Sequence, residues 1–227
     1  MREIVFDTET TGIDPSEGHR LVEIGCIELE NHMATGRNFH VYINPERDVP
    51  AEVVAVHGLD NKRLENEPTF GEIVSDFLDF IGNDAKLIAH NAEFDMKFVN
   101  AELKMFGFPS LDPRRVIDTL PMARKKFPGS PASLDALCRR FGIDNSSRTL
   151  HGALLDSELL AEVYLELLGG RQRGLAMGDE KKSNKETHAN PIKSGKPFRE
   201  PRQFKVSDEE LKLHQDMCEK LKENLSK

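Results

Sequence analysis

The chain has 227 residues and a formal net charge of −8, which allows one domain of about 150–200 residues and an appendage. No window approaches the roughly 18 consecutive apolar residues of a membrane span, and the first residues lack the pattern of a signal peptide, so we expect no membrane association. Cys26, Cys138 and Cys218 lie far apart without the spacing of zinc or disulfide sites, which predicts reduced thiols and a cytoplasmic protein.

Strands and helices alternate along most of the chain. The first strand, Arg2–Phe6, should deliver Asp7 at its end, and the next two should form an antiparallel meander with Gly36 and Asn38 in their connection. The predicted strands are residues 2–6, 21–29, 39–43 and 87–89, and the predicted helices are 51–57, 69–81, 93–105, 119–127, 133–141 and 152–168. This order predicts an α/β domain with a mixed sheet over residues 1–170.

The composition changes after residue 170. Residues 171–205 are basic and poor in apolar side chains, which predicts a flexible linker. Residues 206–227 predict a helix that Ser207 caps and that carries an apolar stripe of Leu213, Met217, Leu221 and Leu225. A lone helix of about 18 residues is marginal in water, so we expect it to bind a partner surface, the alternative being that it packs on its own domain.

Four carboxylates and one histidine carry the chemistry of the sequence. Each carboxylate follows or lies within an apolar run: Asp7 and Glu9 in IVFDTETTG, Asp95 in LIAHNAEFD, and Asp156 in HGALLDSELL after His151. Ionised carboxylates against a core are costly unless a cation compensates them. No lysine or arginine is interleaved among them, so we expect a divalent metal, Mg²⁺ or Mn²⁺.

Such a site favours hydrolysis at phosphorus. Asp7 and Glu9 are two apart on a strand and leave it on one face. Two metal ions about 4 Å apart can clamp an in-line displacement, with His151 as general base. His151 and Asp156 are five apart, about 140° on a helix, so we expect His151 on a loop and Asp156 in the first turns of the helix.

Each residue alone has a simpler interpretation. Asp7 could cap a turn, Asp95 could pair with Lys97, and His151 could be a structural histidine. Their occurrence together, in this order, predicts a catalytic centre.

The segments FDTETTG, HNAEFD and HGALLDSELLAEVYL resemble the three motifs of the DnaQ-like, or DEDDh, family of 3′→5′ exonucleases. The resemblance covers residues 1–170 and fills all five family positions, and Gly152 stands where the tyrosine branch of the family has Tyr. It implies a ribonuclease H-like fold, two divalent ions, and release of 3′-terminal nucleotides as 5′-monophosphates. It further implies that Asp7, Glu9 and Asp156 bind the metal on the nucleophile side, that Asp7 and Asp95 hold the second, and that His151 is the base.

The resemblance also implies a set of substrate contacts. Beside Asp7, Glu9 and Asp156, these are Thr10 with Thr11, Glu52, His57, Asn91 and Phe94. Core packing is an equal alternative for Phe94, as is helix capping for His57. The cluster Arg124, Lys125 and Lys126 is either a phosphate contact or, more simply, a solvated charged face.

Members of the family that proofread for replicative polymerases suggest the partners. Gln172, Leu175 and Met177 resemble a motif that binds the sliding clamp, and residues 206–227 are similar to a segment that docks on the polymerase catalytic subunit. Residues 1–170 carry a net charge of −12, which is unfavourable for autonomous DNA binding, and a tether to the polymerase would supply effective concentration at the DNA 3′ end. We therefore expect a proofreading DNA exonuclease. The alternatives are a free-standing exonuclease that trims RNA 3′ ends and a structural subunit with vestigial catalysis.

Overall fold

The computed structural model describes residues 1–170, apart from 147 and 149, and residues 208–225. Within these residues, one sheet contains five strands: β1 Arg2–Thr10, β2 Leu21–Glu30, β3 Met33–Tyr42, β4 Lys86–Ala89 and β5 Val116–Asp118. Their order is β3-β2-β1-β4-β5. Strands β1, β2 and β3 pair antiparallel, whereas β4 is parallel to both β1 and β5. The mixed sheet that the sequence predicts is confirmed.

Seven of the eight helices in the described ranges match predicted ones, and the short helix at Asn61–Leu64 was not predicted. They are α1 Ala51–His57, α2 Asn61–Leu64, α3 Phe70–Ile81, α4 Ala92–Met105, α5 Thr119–Lys126, α6 Leu134–Phe141, α7 Ala153–Leu168 and α8 Asp208–Leu225. Short 3₁₀ turns occur at Pro15–Glu17 and Pro113–Arg115. None of these described helices is long and apolar enough to cross a membrane.

The sheet is covered on both faces. Ile4 and Phe6 of β1 pack with α3 and α4 on one face, while Val5 faces Leu160 and Tyr164 of α7 on the other. Helices α5 and α6 pack in turn against α7. Because β1 lies at the centre of the sheet between these layers, polar side chains near its carboxyl end are enclosed by α4 on one side and α7 on the other.

The strands differ from the prediction in three respects, one of which is that Val116–Asp118 was not predicted as a strand. Strand β1 continues to Thr10, so Asp7 and Glu9 lie inside a paired strand, opposite Gly25 and Glu23 of β2. Strand β3 begins at Met33, so Gly36 and Asn38 lie within the strand rather than in a connection. The actual turn is Asn31–His32, where both residues have positive φ, as a two-residue hairpin turn requires.

The C-terminal part is described by itself. Helix α8 begins at Asp208, and the exposed side chains of Leu213 and Met217 belong to the predicted apolar stripe. The predicted linker 171–205, with the clamp motif Gln172, Leu175 and Met177, and the predicted cap Ser207 lie outside the described residues.

Candidate active site

One cavity of about 300 Å³ collects all five residues of the predicted centre. Strand β1 and the amino-terminal ends of α4, α6 and α7 surround it. The lining residues are Asp7, Thr8, Glu9, His90, Asn91, Phe94, Asp95, Ser133, Leu134, Asp135, Arg148, His151 and Asp156. The fold therefore brings together side chains that the sequence separates widely.

The carboxylates of β1 and α4 lie in a strongly anionic environment. Burial, and then the charges of Asp95, Glu9 and Asp156, hold the pKa of Asp7 well above its ordinary value. Burial and the charge of Asp156 raise the pKa of Glu9 to about 8. Burial also raises the pKa of Asp95 to about 7, although Thr8 Oγ1 donates to Asp95 Oδ1 at 2.7 Å. A cation placed among these groups would remove the repulsion between them.

A glycine in β2 allows α7 to bring Asp156 to this cluster. A Cβ atom at Gly25 would lie 2.3 Å from the carbonyl carbon of Ala153 and from the backbone nitrogen of Leu154. Ser157 Oγ also donates to the Gly25 carbonyl oxygen at 2.9 Å. The first turn of α7 therefore packs directly on the sheet backbone beside Asp7, and Asp156 is 3% exposed.

His151 lies on the loop before α7 and Asp156 lies in the first turn, as their spacing predicts. The His151 side chain is half exposed, and its Nδ1 is 3.3 Å from Asp156 Oδ2. Its backbone N–H donates to the Val56 carbonyl oxygen at 3.1 Å, which fixes the loop to α1. The imidazole therefore has access both to solvent and to the carboxylate cluster.

The oxygen-rich donors suit a hard divalent cation. Glu9, His151 and Asp156 each offer one ligand atom, and these atoms lie within 4.8 Å of one another. Asp7 lies in the same cavity, and burial together with the neighbouring carboxylates raises its pKa, as expected of a group that needs a nearby cation. The residues present thus fit a metal site with oxygen and nitrogen ligands.

The expectation that no arginine lies among the carboxylates is wrong. The Arg148 guanidinium forms a bidentate pair with Asp156, through Nε at 2.5 Å and Nη2 at 2.6 Å. The sequence does not indicate this pair, because Arg148 lies in a loop outside the apolar runs that contain the carboxylates. Arg148 stands three residues before His151 in SSRTLHG, a spacing that does not by itself indicate contact with Asp156.

Beside the three carboxylates, two further predicted substrate residues line the cavity. Asn91 has φ 65°, a left-handed conformation, and its N–H donates to Asp118 Oδ1 at 3.0 Å. Phe94 is partly buried, with its ring centroid 5.0 Å from that of Phe98. Asn91 and Phe94 therefore flank the carboxylates, and Phe94 combines core packing with a surface in the cavity.

Other predicted substrate residues lie outside the cavity lining. Thr10 Oγ1 donates to the Gly12 carbonyl oxygen, and Glu52 is exposed on α1. His57 is buried, accepts a hydrogen bond at Nδ1 from the Leu59 N–H at 3.0 Å, and has its pKa lowered by burial.

Neighbouring polar residues make structural contacts. Thr11 Oγ1 is 3.2 Å from His19 Nδ1. Lys97 pairs with Asp14 at 2.9 Å rather than with Asp95. In the cluster of Arg124, Lys125 and Lys126, the Lys126 ammonium donates to the carbonyl oxygens of Glu166 and Leu167. Lys126 thus caps the end of α7. Separately, His90 and Asp135 line the cavity, although the sequence does not predict them as site residues.

The chain is similar to known exonucleases and to subunits of DNA polymerase III. Residues 4–164 match the family model described as Exonuclease (RNase_T). The chain is 50% identical over 224 residues to the DNA polymerase III subunit epsilon of Rickettsia conorii, covering 97% of this chain and 96% of the relative. It is 49% identical over 177 residues to the subunit of that name from Escherichia coli, covering 75% of this chain and 72% of the relative.

Solved structures share the fold at low identity. The nuclease domain of 3′hExo, a DEDDh family member bound to rAMP, superposes with a TM-score of 0.64 at 20% identity, over 74% of this chain and 91% of that chain. Exonuclease X in complex with 5′ overhanging duplex DNA gives a TM-score of 0.57 at 22% identity, over 73% and 90% of the respective chains.

Proposed function

Because this chain belongs to the exonuclease (RNase_T) family and, within it, to the DNA polymerase III epsilon subunits, we propose that it is the proofreading 3′→5′ exonuclease of a bacterial replicative DNA polymerase. It removes mismatched 3′-terminal nucleotides from DNA as 5′-monophosphates. The observation that carries the proposal is the convergence of Asp7, Glu9, Asp95, Asp156 and His151 in one cavity.

DEDDh exonucleases depend on divalent metal, and the donor set of this cavity fits that dependence. We assign two ions, Mg²⁺ or Mn²⁺, to it. Asp7, Glu9 and Asp156 hold the ion on the nucleophile side, while Asp7 and Asp95 hold the other. When bound, the ions supply charge stabilisation and a more acidic water.

The chain's own residues perform the remaining tasks. A ring nitrogen of His151 takes the proton of the attacking water, for which its exposure and its position beside Asp156 are suitable. Phe94 packs against the sugar or base of the terminal nucleotide, and Asn91 lies beside the metal site. Thr10, Glu52 and His57 remain proposed substrate contacts. Because they lie outside the cavity lining, only a DNA end that extends beyond the cavity could contact them.

The partners follow from the same proposal. Residues 206–227 dock on the polymerase catalytic (alpha) subunit, and the exposed Leu213 and Met217 on α8 support an apolar contact. Residues 172–177, with Gln172, Leu175 and Met177, bind the sliding clamp. Residues 171–205 connect the nuclease domain, residues 1–170, to the polymerase-docking segment and contain the clamp contact. The role places the protein with the chromosome in the cytoplasm.

The primary test is degradation of a 5′-labelled DNA primer whose 3′ end is mismatched in a duplex. Wild type with Mg²⁺ should give a ladder of shorter primers, and chelator should abolish it. Asp7→Asn and His151→Ala should each slow the reaction by about 10²-fold or more. Asp76→Asn, at an exposed position on α3, is the matched control and should match wild type.

Two further arms separate the alternatives. A labelled RNA of the same sequence tests the RNA-trimming function, which would be favoured if RNA were degraded and the DNA primer left intact. A chain truncated after residue 170 should keep hydrolysis of short oligonucleotides and lose binding to the polymerase subunit. Loss of hydrolysis by a folded truncated chain would contradict the tether.

A further inference from the structure

Arg148 is a cation buried inside an otherwise anionic catalytic cavity. Its side chain is 8% exposed, and both oxygens of Asp156 accept from its guanidinium. Asp156 is itself almost fully buried. A bidentate pair in such surroundings is strong and directional. No step of the proposed hydrolysis requires this pair.

The same guanidinium reaches two other groups. Nη1 donates to Asp135 Oδ1 at 2.8 Å, and Nη2 is 2.7 Å from His151 Nδ1. Asp135 lies in the first turn of α6 with a half-exposed side chain, and its Oδ1 also accepts from Asn145 Nδ2 at 3.1 Å. Arg148 therefore contacts a proposed metal ligand, the proposed base, and a second carboxylate outside the metal set.

These contacts compete with a metal ion. Glu9, His151 and Asp156 offer their ligand atoms within 4.8 Å of one another, and the guanidinium already occupies both Asp156 oxygens and approaches His151 Nδ1. A divalent ion at this position would share its ligands with a positive charge at contact distance. Like charges in a partly desolvated site repel strongly.

Building on the metal-dependent function proposed above, we propose that Arg148 is a displaceable counterion. It neutralises Asp156 when no metal is bound, and it leaves that carboxylate when a divalent ion binds at Glu9 and Asp156. Asp135 retains the guanidinium after the exchange, because it contacts a different nitrogen, Nη1, and needs no atom of Asp156.

The exchange has two consequences for the chain. Without metal, Arg148 keeps the buried Asp156 paired, so no uncompensated charge is left in the cavity. With metal, the cost of breaking the pair is subtracted from the binding free energy, so the metal affinity is lower than the carboxylates alone would give.

The direct test is NMR of the arginine Nε–H groups in the full-length chain. Without metal, the Arg148 Nε–H should give a signal protected from exchange, assigned by its absence in Arg148→Lys. Saturating Mg²⁺, which is diamagnetic, should shift this signal and make it exchange rapidly. A signal that stays protected and unshifted at saturating Mg²⁺ would overturn the proposal.

Metal affinity gives an independent readout. Free Mn²⁺, measured by electron paramagnetic resonance, should report binding to Arg148→Gln that is about 5-fold to 150-fold tighter than to wild type. Thermal unfolding in chelator should occur at a lower temperature for this variant, and Arg148→Lys should be intermediate on both measures. Arg114→Gln removes a bidentate pair with Asp112 at the surface and should change neither.

The outcomes distinguish the two proposals. Equal or weaker Mn²⁺ binding by a folded Arg148→Gln, with clear binding by wild type, overturns the counterion exchange and leaves the nuclease intact. An absence of Mn²⁺ binding by both folded proteins, together with an undegraded DNA primer, overturns the metal-dependent function itself.

Discussion

The backbone N–H of His151 donates to the carbonyl oxygen of Val56, with 3.1 Å between nitrogen and oxygen. This bond connects the loop that carries the proposed base to the last turn of α1, which ends at Gly58. Leu150 lies over the same glycine, because a Cβ atom at Gly58 would be 2.8 Å from Leu150 Cδ1. The position of His151 therefore depends on a helix that contributes nothing to the cavity lining.

Gly58→Ala tests this dependence. The residue has φ 77°, a conformation that costs a side chain about 1–2 kcal/mol, and the new methyl group would press on Leu150. We expect kcat to fall between about tenfold and 10²-fold through displacement of His151, with metal affinity unchanged. Gly107→Ala is the matched control, with φ 77° and open space around it. Gly107→Ala should lose a similar amount of stability and keep its kcat. Equal losses of kcat in both variants would contradict the dependence of the His151 position on α1.

Gly25→Ala should damage the site from the sheet side. The added methyl group would meet the backbone at Ala153 and Leu154, which can yield only if α7 moves. We expect a loss of about 1–3 kcal/mol in the free energy of unfolding, together with weaker metal binding because Asp156 moves with the helix. Denaturant unfolding and Mn²⁺ titration measure the two effects. Gly152→Ala adds a methyl group at the start of the same helix in open space and should change stability much less.

The metal-free chain should lose stability as pH rises. The pKa of Glu9 is raised from 4.5 to about 8 by folding, so between these values the folded chain binds more protons than the unfolded chain. The stabilising protonation is complete below about pH 4.5 and is lost as the pH passes 8. In chelator, the unfolding temperature should therefore fall by several degrees between pH 5 and pH 8. Divalent metal should raise the unfolding temperature more at pH 8 than at pH 5.

Glu9→Gln should make this pH dependence shallower, because the amide cannot ionise. Glu158→Gln, at an exposed position on α7, should retain the wild-type slope. Calorimetry in chelator at a series of pH values compares the three proteins. A slope for Glu9→Gln as steep as that of wild type would assign the effect to other groups.

Phe94→Ala should weaken substrate binding selectively. Stacking of a base on an aromatic ring contributes about 1–3 kcal/mol, so KM for a single-stranded 3′ end should rise between about 5-fold and 150-fold. Mn²⁺ affinity should stay at the wild-type value, since Phe94 offers no ligand atom. Phe80→Ala removes a partly buried ring of α3 outside the cavity lining and should leave KM unchanged. Similar KM values for both variants would restrict Phe94 to core packing.

The sequence predicts most elements of this fold because their signals are local. The apolar spacing after Thr69 identifies α3, and Glu72 accepts the expected capping bond from the Thr69 N–H at 2.7 Å. The start of β3 is missed because Asn31 and His32, rather than glycine, form the positive-φ turn. Strand β5 has only three residues and is recognisable as a strand only through its pairing with β4.

The same distinction between local signals and tertiary packing applies to the residues of the site. Its five motif residues are predictable, since each occurs in a short segment with a clear pattern. Arg148 is not, because its position depends on α6 presenting Asp135 opposite Asp156, a tertiary relationship that no spacing records. Likewise, His57 is buried outside the cavity lining, with its Nδ1 bonded to the Leu59 N–H, and this position depends on how α1 packs.

The order of the five site residues along the chain matters while the protein is being synthesised. The ribosome releases Asp7, Glu9 and Asp95 well before His151 and Asp156, yet the catalytic cluster exists only when α7 has packed over Gly25. A nascent chain that ends before α7 therefore lacks His151 and Asp156 and holds an incomplete centre. The five residues can meet in one cavity only after α7 has been synthesised and has packed on the sheet.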